Sequence, residues 1–285
     1  MTTADAPDAP GPGADTHDSS RPGAAATWHS ALVTGASSGI GRELALLLAA
    51  EGTDLVLVAR DRGRLDDLAG QLQDVHPGVT VEVLSADLAD PVQLAAVEAR
   101  VCDPARPIDL VVNNAGFGTY GPLVHADIDV EQREIAVNVT AVVRLTYAAV
   151  GAMVARGRGA VMNISSVAGL QATPGNATYG ATKAFVASFG EAVAGELAGT
   201  GVTLTTVLPG FTRTEFQQRA GIEGREIPGP AWMSAPDVAS QALEATRAGK
   251  AWFVPGVLNK VLTAVAGPVP RGLKRRLAAR VASRM

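Results

Sequence analysis

The stretch Thr34-Gly35-Ala36-Ser37-Ser38-Gly39-Ile40-Gly41 decides how this chain is read. It follows the apolar run Ala31 to Val33 and opens an apolar stretch of helical periodicity, which sets it at a strand-to-helix turn. Glycines at such a turn let the backbone approach a pyrophosphate, and the positive end of the following helix favours that charge. Gly35, Ser37, Ser38, Gly39, Ile40 and Gly41 are therefore candidate phosphate contacts. A lone glycine-rich turn also serves as a plain tight connection, so the remainder of the chain carries the weight.

Working outward, apolar runs alternate with amphipathic segments nearly to the C-terminus, the pattern of βα units in a parallel sheet covered on both faces. Strands are expected near 30–34, 54–59, 79–84, 108–113, 159–165, 202–208 and 251–254. Helices are expected near 39–51, 63–75, 91–101, 130–155, 178–199 and 236–247. This is a single-domain α/β chain, a Rossmann-like doubly wound parallel sheet of about seven strands with helices on both faces, and its ligand belongs at the carboxyl ends of the strands. The segment Phe211 to Ser234 breaks the rhythm with Gly221, Gly224, Pro228, Gly229 and Pro230, and a loop of that length in a compact domain is usually functional. Phe211, Phe216, Trp232 and Met233 offer it apolar material for a pocket wall.

Three further motifs follow the glycine turn in order: Asn113-Asn114-Ala115-Gly116, then Ser166, then Tyr179 with Lys183. Together the four resemble the classical short-chain dehydrogenase/reductase family, NADP(H)-preferring type, from about Ala31 to about Pro255. The resemblance implies an oxidoreductase that moves a hydride between a nicotinamide and a ketone, aldehyde or secondary alcohol. It makes Tyr179 the general acid and base, with Ser166 holding the substrate oxygen. Asn138, in Asn138-Val139-Thr140, matches the helix asparagine whose water passes protons onward from the lysine, and mid-helix Asn is otherwise unfavourable. The same resemblance assigns cofactor contacts to Asp87 and Leu88 beside the adenine, to Asn114, Ala115 and Gly116 along the dinucleotide, to Tyr179 and Lys183, and to Pro209, Gly210, Thr212 and Thr214 near the nicotinamide amide. For Asp87 the plainer reading is a loop acid near the helix starting at Pro91, for which Asp90 is the better cap by position.

The chemistry of these residue types supports the roles. Tyr179 and Lys183 are four apart in a helical segment and share one face. A free tyrosine titrates at about 10, too high to trade protons easily near neutrality, but an adjacent ammonium and the positive nicotinamide ring that the resemblance implies both favour the phenolate. Ser166 lies thirteen residues before Tyr179 at the end of the fifth strand; its neighbour Ser165 is the rival, read as a structural hydroxyl. For the cofactor, an Asp or Glu ending the second strand would bind a free ribose 2′-hydroxyl, but the chain has Arg60 there, nineteen positions beyond Gly41. A guanidinium there pairs with a 2′-phosphate, which favours NADP(H) over NAD(H). Asp61 is the competing ribose partner; Arg42 and Arg64 add positive potential or are ordinary solvated helix residues.

Composition narrows the classes. The 285 residues suit one large domain, and 47% hydrophobic with 18% charged residues suits a globular enzyme. The net charge of −4 does not suggest nucleic-acid binding, and no apolar run in the sequence reaches membrane-spanning length. The four histidines show no metal-binding spacing, so no catalytic metal is expected. Residues 1–27 read as a disordered tail without a secretory signal, and the single Cys102 fits a reducing, cytoplasmic setting. The catalytic unit is placed at 28–256 and a basic amphipathic extension at 257–285. That extension has seven Lys or Arg and no Asp or Glu, with Leu273, Leu277 and Val281 on one face. It suits peripheral contact with anionic lipid, or equally packing on the acidic body or a second subunit. Ala181, Ala184, Ala187 and Ser188 beside the Tyr179 motif permit close helix packing, and the family resemblance implies a homodimer or homotetramer. A non-catalytic dinucleotide-binding regulator is the alternative from another class, and an NAD(H) enzyme the alternative within this one.

Overall fold

The computed structural model describes residues 28–221, 229 and 232–260. The expected tail 1–27, residues 222–228, 230 and 231 of the long loop, and residues 261–285 of the basic extension lie outside the described residues.

Strands β1 (Ser30–Thr34), β2 (Asp54–Ala59), β3 (Val81–Ser85), β4 (Leu110–Asn113), β5 (Gly159–Ile164), β6 (Val202–Val207) and β9 (Trp252–Phe253) pair in parallel in the order β3-β2-β1-β4-β5-β6-β9. The side-chain period of two sends each continuous apolar run to both faces. Ala31, Val33, Leu55, Leu57, Val112 and Met162 meet one set of helices. Leu32, Val56, Val58, Val111, Val161 and Leu204 meet the other. The first face is covered by Leu44 and Leu48 of α1 (Gly39–Ala50), Leu65 and Leu72 of α2 (Arg62–Val75), and Ala239 and Leu243 of α8 (Ala235–Arg247). The second is covered by Leu94 and Val97 of α3 (Pro91–Val101) and by Leu145, Ala149 and Met153 of α5 (Val142–Arg156). Burial of each such side chain contributes roughly 1.5–3 kcal/mol.

Local chemistry punctuates these elements. Asp61, Asp90, Asp127 and Ser234 cap α2, α3, α4 (Ile128–Ile135) and α8, each accepting a first-turn backbone N–H. Gly157 closes α5 in the left-handed region at φ 68°. Cys102 is exposed at the end of α3.

Two features differ from the sequence expectation. The single helix expected over 130–155 is three consecutive pieces: α4, a widened π-type turn Ala136–Ala141, and α5. The widening falls on Asn138, whose side chain bonds a neighbouring loop instead of lying on a regular helix surface. This run, Ile128–Arg156, has a mean hydropathy of 1.5 over its most apolar window and is long and apolar enough to cross a membrane, where the sequence showed no such stretch. Its Leu145, Ala149 and Met153 pack on the sheet as a core helix does. The long loop also holds regular structure: β7 (Phe211–Arg213) pairs in parallel with β8 (Trp232–Ser234), and α7 (Phe216–Arg219) follows β7. The Phe211 and Trp232 rings lie 5.7 Å apart across that ribbon.

The strand order reverses between β1 and β4, which makes their carboxyl ends the crevice of the sheet. One buried hydroxyl joins those ends. Thr34 Oγ1 donates to Val112 O and accepts from the backbone N–H groups of Asn114 and Ala115, at 2.9 and 3.0 Å. Asn114 Nδ2 donates in return to Thr34 O. Thr34→Val keeps the volume but strands both N–H groups, and is expected to cost about 2 kcal/mol of stability in urea unfolding, while Thr34→Ser retains most of it.

Candidate active site

Gly35 holds φ 67°, in the left-handed region, and receives its backbone from β2 through Gly35 N–H to Val58 O. A Cβ at Gly41 would stand 2.4 Å from both Gly35 O and Asn114 Nδ2, so the turn closes on itself and on Asn114 with no room for a side chain. Ser38 precedes α1 without a side-chain capping bond. Thr214, at the start of the long loop directly after β7, lies against Gly39. The glycine turn, the Asn114-Ala115-Gly116 segment and the 211–219 segment thus meet in one place, as the resemblance implies.

Around Arg60 the alternatives separate. Asp61 is used as the cap of α2, accepting from Arg64 N–H. The Arg64 guanidinium is taken by Glu215 at 2.8 Å, and that of Arg42 by Gln71 at 2.8 Å. Among the described residues the exposed Arg60 guanidinium makes no ion pair, and its nearest recorded charge influence is on Asp87. Asp87 does not cap α3, which Asp90 does. It accepts from Ala89 N–H and from Arg133 at 2.7 Å. Burial works against its charge, but those two donors hold its carboxyl below the usual value. Leu88 beside it is buried in the second core.

Tyr179 and Lys183 lie one turn apart on α6 (Ala177–Glu196), with the Lys183 ammonium 5.7 Å from the Tyr179 ring centre. The Phe216 ring stands 5.3 Å from the same ring on its other flank. Lys183 Nζ donates to Ile164 O at 3.0 Å, which ties the buried lysine to the end of β5. Ser165 Oγ donates to Lys183 O at 2.7 Å and so is the structural hydroxyl of the pair. Ser166 Oγ instead donates to Pro209 O at 3.4 Å and accepts from Ala168 N–H, and its hydroxyl acts to lower the Tyr179 phenol. Asn138 is wholly buried. Its Oδ1 accepts from Phe117 N–H, and its Nδ2 donates to Phe117 O and Thr182 Oγ1. Pro209 O accepts from Val167 N–H and sits within 3.4 Å of Ser166 Oγ, and Thr212 Oγ1 donates to Gly210 O. Asn113 Nδ2 donates to Asn163 Oδ1 on β5 and to Thr146 Oγ1 on α5.

Burial dominates the electrostatics of the pair in the protein alone. It pushes the Tyr179 phenol up to about 12, the Ser166 hydroxyl opposes it, and Glu134 raises it further. Burial brings Lys183 down to about 8, and its Nζ donates to Ile164 O. The neutral phenol is the form this protein favours.

Sequence reasoning missed the wall under the tyrosine. A Cβ at Gly118 would meet the Tyr179 ring at 2.8 Å and Phe216 at 3.1 Å. Beyond it, Thr119 bonds the buried Glu131 and Glu134. An acid four residues before Asn138 on an otherwise inward face was the available signal.

The family profile described as short chain dehydrogenase matches residues 29–223, and the chain belongs to that family and is an oxidoreductase. An uncharacterized oxidoreductase of Myxococcus xanthus is 38% identical over 194 residues, covering 67% of this chain and 74% of the relative. The solved short-chain dehydrogenase of Sphingobium yanoikuyae, in complex with NADPH, is 39% identical with a TM-score of 0.76, covering 85% of this chain and 96% of that one. A bulky-bulky ketone specific alcohol dehydrogenase of Comamonas testosteroni is 31% identical with a TM-score of 0.72, over 86% and 96%.

Ultraviolet titration of the protein is expected to place the Tyr179 transition at about 12. Subtraction of the Tyr179→Phe titration isolates it, and a Tyr179 transition below the ordinary tyrosine value of about 10 would contradict the burial argument.

Proposed function

We propose that this protein is an NADP(H)-dependent reductase of ketones or aldehydes, reversible as an alcohol dehydrogenase, with Tyr179 as general acid and base. The observation that carries the reading is the convergence of the glycine turn, Ser166 and the Tyr179-Lys183 pair at the strand ends beside the β1/β4 crevice. A dinucleotide suits the turn: Gly35 and Gly41 let it pack directly against Asn114 and Ala115, and the N-terminus of α1 that it opens favours a pyrophosphate. Ser37, Ser38 and Ile40 complete the turn, and Asn114, Ala115, Gly116, Pro209, Gly210, Thr212 and Thr214 flank the dinucleotide. Asp87 and Leu88 lie toward the adenine, and Arg60 takes the 2′-phosphate. NADPH and NADP in solved relatives support that choice.

The bound nicotinamide supplies the hydride chemistry. Ser166 Oγ donates to the substrate oxygen and holds the carbonyl against Tyr179. Tyr179 Oη gives its proton to that oxygen as the alkoxide develops, which the neutral phenol favoured by burial is ready to do. Asn138 positions the Phe117 loop and α6 rather than reaching substrate itself. Phe216, packed against the Tyr179 ring, gives the site an apolar wall, which fits a largely apolar carbonyl compound. The bulky-bulky ketone specificity of the Comamonas relative supports a ketone as the substrate class. Tyr147, Val154 and Phe185 are exposed on α5 and α6, in keeping with a homodimer or homotetramer built there, and a cytoplasmic setting completes the reading.

Two measurements test it. Purified protein is expected to consume NADPH with a ketone and aldehyde panel, and Tyr179→Phe to lose at least about 100-fold in kcat, the scale of one general acid. NADPH that binds without consumption by any carbonyl compound would favour a regulator instead. Arg60→Glu is expected to weaken NADPH binding by about 10- to 100-fold, the worth of a charge-assisted hydrogen bond, with NADH binding unchanged or improved. Equal affinity of the wild type for NADH and NADPH would remove Arg60 from the argument.

A further inference from the structure

Behind the Tyr179-Lys183 pair lies a carboxyl cluster that the reaction above does not use. Glu131 and Glu134 project from α4 and are both buried, Glu134 completely. Thr119 stands between them. Its single hydroxyl proton serves Glu131 Oε1 at 2.6 Å or Glu134 Oε2 at 3.0 Å, and its backbone N–H donates to Glu134 Oε2 at 3.0 Å. The other Glu134 oxygen, Oε1, is buried without a hydrogen-bond partner. A carboxylate so poorly supplied with donors exerts its charge on whatever else is buried nearby.

What is nearby is the reacting pair, joined through one strap of chain. The Cβ position of Gly116 lies 3.0 Å from Asn138 Oδ1 and 3.3 Å from Lys183 Nζ. Phe117 exchanges both backbone bonds with Asn138. Gly118 lies against the Tyr179 ring, and Thr119 bonds Glu134. Four consecutive residues therefore touch Lys183, Asn138, Tyr179 and Glu134 in turn. Glu134 and Asn138 are themselves four apart, across the widened turn.

We propose that Glu134 is a positioning residue of this site, whose ionised carboxyl holds Lys183 as an ammonium and Tyr179 as a phenol and so sets the proton count of the pair. The proposal rests on the reading of Tyr179 and Lys183 as the reacting groups. Burial pushes Glu134 up to about 7; the two Thr119 bonds oppose this, the Glu131 charge adds to it, and Lys183 opposes it. Burial brings Lys183 down to about 8 while Glu134 pulls it back up. Glu134 also adds to the upward shift that burial gives Tyr179. Glu131 from α4, Tyr179 and Lys183 from α6, and the Thr119 donors from the strap are the groups that face it. Arg133, beside it in sequence, is spent on Asp87. A negative charge favours the protonated form of both a lysine and a tyrosine, so removing it lowers both midpoints.

The test is the Lys183 titration in the full chain, read by NMR of carbon-13-labelled lysine and assigned by the signal lost in Lys183→Arg, together with the pH profile of kcat/KM. Glu134→Gln is expected to move the Lys183 midpoint from about 8 toward acid by about one pH unit, and the pH profile with it. Thr119→Val, which leaves the fold of α4 alone and withdraws a donor from Glu134, is expected to move it the same way by less. Glu134→Asp is expected to bring it back toward the wild-type value. An unchanged Lys183 midpoint in Glu134→Gln, or in Thr119→Val if the first variant does not fold, overturns the proposal, because a purely structural role would lower stability and leave the midpoint alone. If the midpoint moves in a protein that reduces no carbonyl compound, the coupling stands and the reductase reading fails.

Discussion

The Thr34 hydroxyl is the constraint on which the rest of the site depends. A parallel sheet leaves its strand ends without partners, and at the β1/β4 crevice those ends must also stay apart enough to admit a ligand. Thr34 resolves the conflict by saturating one hydroxyl. Its proton goes to Val112 O, and its lone pairs receive the N–H groups of Asn114 and Ala115. Asn114 then returns its amide to Thr34 O and, more weakly, to Gly35 O. The glycine turn is thereby tied to the Asn114 segment before any ligand arrives, and the strap Gly116 to Thr119 leaves that tie in a defined direction.

From that strap the energetics of the pair on α6 follow. Burial of Tyr179 and Lys183 disfavours the charge on each, and the two effects have opposite signs in protons: the tyrosine keeps its proton and the lysine loses its grip. A lone ammonium beside a phenol does not make a base of it when both are desolvated. The same low-dielectric surroundings magnify any net charge that is present, which is why an acid one element away matters to both. The long loop completes the enclosure from the far side, with Thr214 on Gly39, Glu215 on Arg64 and Phe216 on Tyr179.

Much of this was legible in the chain. The alternation of apolar runs and amphipathic segments specifies a parallel sheet because strands buried on both faces need apolar residues at every position, and the observed strands agree with the expected ones to within a few residues. The glycine turn was readable from turn chemistry and the shared face of Tyr179 and Lys183 from their spacing of four, whereas the preference for Ser166 over Ser165 came from the family resemblance. The π-type turn at Asn138 was not readable, since its cause is a hydrogen bond to Phe117, 21 residues away. Nor was the β7/β8 ribbon, whose two short strands stabilise one another only when Phe211 and Trp232 are brought together.

The sequence by itself determined the fold class, the family and the identity of the groups that converge at the strand ends, because periodicity, turn chemistry and i, i+4 spacing are local properties. Only the tertiary structure decided how those groups are charged and who their neighbours are. Whether Asp61 or Arg60 was free depended on a helix cap, and whether Tyr179 was acidified or protected depended on burial. The place of Glu134 behind Lys183 depended on a strap that joins two helices distant in sequence. Desolvation and long-range hydrogen bonds are sums over the packed surroundings of a group, and those surroundings do not exist until the chain has folded.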